Sequence, residues 1–279
     1  MPRRNAKSKA KKLARQSSKN ADQITSMSRS KVASTSHVTC IDDVMFTRKV
    51  PGNFNQGDTQ FSEESRGRQC PCNSLVMLCE IDEIFDTMLP NDIDGVLRNG
   101  DGLYNMTASE LKTKGELNTD DGYLEIEQLP TMFALDSRIY NVQYETAVTG
   151  RIASTPDSAF EPLDVVLQQA FLDYTKHILV LGTSYMMAIY KDKSDQYLFF
   201  DSHSRNDNGL CSSEGSAIAL YFPDIHNLYK YIHCLCNSLN LPASTLVTIQ
   251  SIIVQSNLPM TTLAMSRPHN SAIRQCQYL

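Results

Sequence analysis

Apolar residues recur at gaps of three or four through one stretch of the chain: Leu75, Leu78, Ile81, Phe85 and Met88, with Glu80, Asp82, Glu83 and Asp86 between them. That period predicts a helix over residues 71–89. Pro71 suits its first position, where a missing N–H costs nothing, and Pro90 is expected to end it. A second helix is predicted over 225–239, with apolar residues at 225, 228, 232, 235 and 239. Between the two lie predicted strands at 178–181 and 185–190 around Gly182–Ser184, then 196–201, the last two joined by KDKSD (191–195). GYLEIEQLP (122–130) alternates apolar and acidic positions and reads as a half-buried strand, while LRNGDGLY (97–104) reads as a turn entering a strand. SIIVQ (251–255) is too short to assign, and no internal repeat is visible. A helix, several strands and a closing helix predict an α+β domain, with the first helix packed on a mostly antiparallel sheet.

Composition narrows the class. Of 279 residues, 41% are apolar and 20% charged, the balance of a soluble globular protein. No apolar run approaches the roughly eighteen residues of a membrane span, so no membrane association is expected. The N-terminus is basic with no apolar segment behind it, which predicts a nuclear or cytoplasmic protein rather than a secreted one. The eight cysteines are then expected as free thiols, catalytic groups or metal ligands before disulfides. The net charge of −5 conceals an asymmetry: residues 1–19 hold eight Lys or Arg and no acid, leaving a net of −13 on the remainder. An acidic body with a basic arm is unlike a nucleic-acid-binding fold, whose positive charge lies on the folded face. Residues 1–45 are therefore read as a disordered tail, 46–260 as the folded domain and 261–279 as an irregular end. The basic run from Arg3 to Lys19 is a candidate nuclear-import signal or polyanion-binding arm.

Three places carry candidate chemistry. In GRQCPCNSL (67–75), a helix beginning at Pro71 makes Cys70 its N-cap, beside unpaired N–H groups and the positive end of the helix dipole, an environment suited to a nucleophilic thiolate. Cys72, in the same turn, is the rival. In FFDSHS (199–204), Asp201 and His203 share one face of an extended strand with Ser202 turned away, so the carboxylate can fix the imidazole while the other ring nitrogen faces a thiol. In VPGNFNQGD (50–58), the Gln56 amide can donate to a developing oxyanion together with the Cys70 N–H. Singly, each has a plainer reading as a buried Cys, a surface pair or an ordinary amide. Their joint occurrence carries the weight. Metal binding by Cys70, Cys72, His233, Cys234 and Cys236 is disfavoured because CxC and HCxC lack the CxxC loops of zinc sites, and neither metal nor cofactor is expected. NDIDGVLRNGDG (91–102) lacks the closing glutamate of a calcium loop. His37, His177, His226 and His269 are expected on the surface or satisfied in the core.

The order QGD, GRQC–x–x–NSL, VLRNGDGLY (96–104), YLEIEQLP (123–130) and YLFFDSHSRNDNGL (197–210) resembles the deubiquitinating cysteine protease at the N-terminus of herpesvirus large tegument proteins, with stand-alone tegument-like deubiquitinases sharing the pattern. The resemblance covers roughly residues 50–225, and its most specific parts are GRQCPCNS and DSHS. It implies a papain-like fold, with the nucleophile at Cys70, the base at His203, the orienting carboxylate at Asp201 and the oxyanion-side amide at Gln56. It further implies hydrolysis of the isopeptide bond after the Gly-Gly end of ubiquitin, or of its relative Nedd8, with conjugates of these modifiers as partners. Two departures stand out: the domain follows a basic tail, where the herpesvirus versions begin a very large protein, and a second cysteine, Cys72, lies beside the nucleophile. Two other classes stay open, a cysteine hydrolase for another substrate and a non-catalytic viral or mobile-element protein that binds nucleic acid through its tail.

Overall fold

The computed structural model describes residues 40–117, 121–153 and 159–257. The expected tail segments 1–39 and 261–279 lie outside the described residues. Within the last residues of the expected N-terminal tail, Cys40–Asp43 form a 3-10 turn, and Ile41 and Val44 are buried.

Among the described residues, nine strands form one sheet: β1 (Arg48–Pro51), β2 (Met132–Leu135), β3 (Arg138–Tyr144), β4 (Val148–Arg151), β5 (Lys176–Leu181), β6 (Tyr185–Lys191), β7 (Tyr197–Arg205), β8 (Ser216–Phe222) and β9 (Leu246–Asn257). Their order is β1-β8-β7-β6-β5-β9-β3-β2, with β4 beside β9. All the pairings are antiparallel. The hairpins β5–β6 and β6–β7 fall where the sequence predicts them. SIIVQ lies inside the 12-residue β9, whose length lets it pair with β5 and β4 along one part and β3 along the other.

The centre of the sheet is covered on both faces. Ile178 and Val180 of β5, Ala188 and Tyr190 of β6, and Leu198 and Phe200 of β7 pack in one cluster with α1 (Cys70–Ile84) and α2 (Pro90–Lys114). The alternate residues Leu179, Leu181, Met187, Ile189, Tyr197 and Phe199 pack in a second cluster with α3 (Leu163–Asp173) and α4 (Ile225–Ser238). The strand period of two sorts one sequence into two cores. The predicted α4 thus covers one face and the predicted α1 the other.

Three local expectations are corrected. The first helix ends at Ile84 instead of running to Leu89, and Pro90 opens α2 instead of closing α1. Leu89 is extended, and its N–H donates to Asp92 Oδ2 at 2.7 Å, capping the new helix. LRNGDGLY lies within α2, with no turn or strand. Its Gly100 is where α2 crosses α1: a Cβ there would stand 1.9 Å from Asn73 Oδ1 and 2.9 Å from Asn73 Cα. The glycine serves close helix packing, and Leu97, Leu103, Tyr104, Thr107 and Leu111 keep a helical burial period around it. Finally, 122–130 forms no strand. It carries a 3-10 turn, Ile126–Gln128, and buries Leu124 and Leu129 against the α1/α2 cluster. The alternation was real, but a strand also needs a neighbour's backbone to pair with.

Helix α1 is pinned to the sheet near its C-terminal end. Buried Lys176 donates to the Leu78 carbonyl and to Asp82 Oδ2, both at 2.7 Å, and Tyr190 Oη donates to Asp82 Oδ1 at 3.0 Å. This aims the helix N-terminus toward the far ends of β6 and β7.

Candidate active site

Cys70 is the first residue of α1, one position inside the expected cap: Gln69 is the N-cap and Pro71 follows. The thiol is 1% exposed, and its Sγ–H donates to the Ser184 carbonyl in the β5–β6 turn at 3.8 Å. Gly67, at φ 77°, turns the chain into the helix.

Opposite stands the end of β7. Asp201 is wholly buried and His203 half-buried. His203 Nδ1 donates to Asp201 Oδ1 at 2.6 Å, and the same oxygen accepts the His203 backbone N–H at 2.9 Å. With Nδ1 so engaged, Nε2 is the nitrogen left to face the Cys70 sulfur, with which the ring interacts. The Tyr185 ring lies 5.3 Å from the imidazole. Burial disfavours charge on His203, but the Asp201 carboxylate, its hydrogen bond and the Cys70 sulfur outweigh that and push the ring up to about 9. Burial likewise opposes ionisation of Asp201, and the guanidinium of Arg205 and the imidazole together hold it well below the usual carboxylate range.

Gln56 is buried between the first turn of α1 and β7. Its backbone N–H donates to the Ser202 carbonyl at 2.9 Å, and its Oε1 accepts from Ser202 Oγ at 2.9 Å and Asn73 Nδ2 at 3.4 Å. Nε2 donates to the Gly67 carbonyl at 3.3 Å. A carbonyl can only accept, so the amide cannot be flipped, and its second N–H stays available.

The structure thus brings Cys70, Asp201, His203 and Gln56 together from three segments. Cys72 is fully buried, and desolvation pushes its thiol far up, as it does for Cys79, pushed up to about 12. Cys234 and Cys236 lie on α4 across the sheet from α1, which separates them from Cys70 and Cys72. Among the described residues, Cys70, Cys72, Cys79, Cys211 and Cys236 are free thiols. Among the described residues no group of three or more His, Cys, Asp or Glu could hold a metal ion, and no helix is long and apolar enough to cross a membrane.

Sequence reasoning missed the supporting residues. Ser202, read only as turned away, uses that direction to hold Gln56. Asn73 reaches the same oxygen from one turn past Cys70. Arg205 grips Asp201 through Nε–H to Oδ2 at 2.6 Å. The spacing of Arg205 four residues after an acid was visible, but a bulge between 201 and 205 breaks the strand register that would have placed it.

A helix carrying a thiol at its first position, set against an antiparallel sheet that carries Asp and His at a strand end, is the α+β arrangement of papain-like proteins. The chain belongs to the family described as herpesvirus tegument protein, N-terminal conserved region, which matches residues 51–254. Its fold is that of the ubiquitin-specific protease encoded by a murine cytomegalovirus tegument protein, solved in complex with a ubiquitin-based suicide substrate. The two share a TM-score of 0.61 and 16% identity over 78% of this chain and 89% of that one. No curated protein matches the chain.

Proposed function

We propose that this protein is a cysteine-type deubiquitinase that cleaves the isopeptide bond after the C-terminal Gly-Gly of ubiquitin. The observation that carries the reading is the convergence of the Cys70 thiol, the His203 imidazole and the Asp201 carboxylate at the start of α1. The substrate class comes from the family and from the ubiquitin-based ligand of the cytomegalovirus protease.

In this mechanism the Cys70 thiol passes its proton to His203 Nε2, and the resulting thiolate, beside the protonated ring, attacks the terminal glycine carbonyl. The oxyanion takes hydrogen bonds from the Cys70 N–H and the second N–H of Gln56. His203 gives its proton to the departing lysine amine as the C–N bond breaks, leaving a thioester. It then takes a proton from water, whose hydroxide attacks the thioester and releases the ubiquitin carboxylate and the thiolate. Asp201 keeps the imidazole in one tautomer and stabilises its charged form.

Incubation with ubiquitin bearing a C-terminal propargyl warhead tests this, since the warhead reports attack by a thiolate. Wild type and Cys72→Ala should form the adduct, and Cys70→Ala and His203→Ala should not. An adduct that survives Cys70→Ala, or no labelling of wild type, would refute the assignment. Labelling by a Nedd8 probe instead would move the substrate to that modifier.

A further inference from the structure

We propose that Arg205 is a positioning residue of this site, aiming the Asp201 carboxylate at His203 and keeping it ionised in a fully buried place. The inference rests on the proposed cysteine chemistry for its meaning and on the geometry for its content.

Asp201 has no contact with solvent, and a buried carboxylate without a cation tends to neutralise. Its two oxygens are divided: Oδ1 takes both His203 donors, and Oδ2 takes Arg205 Nε–H at 2.6 Å. Holding Oδ2 fixes the rotation of the carboxylate, so Oδ1 stays in line with Nδ1. Arg205 itself is 3% exposed and cannot be replaced by water or a mobile ion. The bulge in β7 lets residues 201, 203 and 205 converge, and Gly215 allows it: a Cβ there would stand 2.1 Å from the Arg205 carbonyl oxygen. Among the described residues, Arg205 and His203 are the positive groups that act on Asp201. From α4, Tyr231 faces the pair, neutral because burial raises its phenol well above its ordinary value, with its Oη donating to the Gly209 carbonyl at 2.8 Å. From α1 comes Cys70, and from the loop after β7 comes Cys211. Asp207 and Glu214 line the same polar cleft as Arg205 and add negative charge. Arg205 is thus the cation on which the ionised carboxylate depends before His203 is protonated.

Charge and geometry separate by substitution. Arg205→Gln removes both, and Arg205→Lys keeps the charge but loses the planar N–H fork. Turnover of a fluorogenic ubiquitin C-terminal amide is measured against pH, beside the rate at which iodoacetamide alkylates Cys70, which needs no ubiquitin. For Arg205→Gln, kcat should fall about 10-fold with KM little changed, and the acid limb should move up by about one pH unit because Asp201 now takes a proton more easily. The alkylation profile should move the same way, since a neutral Asp201 no longer supports the imidazolium beside the thiolate. For Arg205→Lys, the acid limb should stay and kcat should still fall several-fold. A loss of amplitude with unmoved limbs in Arg205→Gln would show a merely structural role and overturn the inference. If Arg205→Gln does not fold, a wild-type kcat in Arg205→Lys overturns it instead. Wild type that alkylates with a shifted profile in Arg205→Gln but never turns over ubiquitin would refute the proposed function and leave the role of Arg205 standing.

Discussion

Gln56 shows how much a single side chain depends on distant neighbours. Its oxygen is occupied by Ser202 and Asn73 and its amide nitrogen by Gly67, so one N–H is directed by three contacts. Loss of one oxyanion donor costs about 10²–10³ in kcat. Gln56→Ala should therefore lower kcat by about that factor with KM nearly constant, and Ser202→Ala, which leaves two of the three contacts, only several-fold. Steady-state kinetics on a ubiquitin C-terminal amide would read both, and equal losses would show that Ser202 acts by another route. The residue types of the site were legible because Cys70 stands at a helix start and Asp201 and His203 share the two-residue spacing of a strand. Ser202, Asn73 and Arg205 were not, because their roles depend on which segments meet, and residues 56, 73 and 202 are joined by no local period.

Helix α2 carries the sharpest contrast between a local signal and a packed structure. Asn-Gly-Asp-Gly reads as a turn by composition, yet all four residues are helical. Buried Gly100 meets Asn73, while exposed Gly102 meets nothing within 4 Å. Alanine is favoured over glycine by about 1 kcal/mol in a helix, whereas overpacking against a fixed backbone costs about 1–3 kcal/mol. Gly102→Ala should thus stabilise the protein by up to about 1 kcal/mol in urea unfolding, and Gly100→Ala should destabilise it despite the same gain in propensity. A stable Gly100→Ala would mean that α1 and α2 can slide apart at this crossing. The helices α1 and α4 were legible from their apolar periods, as were β5, β6 and β7 from their length and turns. The glycines of α2 masked a third helix, because sequence shows that a residue is small but not what lies against it.

Across the whole molecule, two histidines shifted to opposite sides of neutrality each add a pH-dependent contribution to stability. His203 has its folded value raised from 6.5 to about 9, so its contribution is complete below pH 6.5 and is lost as pH rises toward 9. His177 is the reverse case. It is fully buried between β5 and β9, with Phe171 of α3 against its ring at 4.4 Å. Nε2 faces the Tyr174 carbonyl at 3.2 Å and must carry the proton, so Nδ1 accepts from Ser251 Oγ at 3.0 Å. Both nitrogens are satisfied in the neutral ring, and burial lowers it from 6.5 to about 4. Its contribution is complete above pH 6.5 and drains away as pH falls toward 4, because the unfolded chain takes up a proton that the fold refuses. Asp201, held low, adds its loss only below about pH 3.8. Between pH 6.5 and 4 the slope assignable to His177 is up to about 1.4 kcal/mol per pH unit. His177→Gln keeps a donor and an acceptor between the strands but cannot titrate. Urea unfolding across this range should show wild type losing stability more steeply than His177→Gln, with the two curves converging toward pH 4. Parallel curves would place the acid sensitivity elsewhere and leave the β5–β9 junction, which ties the strands that carry the site to β3 and β2, indifferent to protonation.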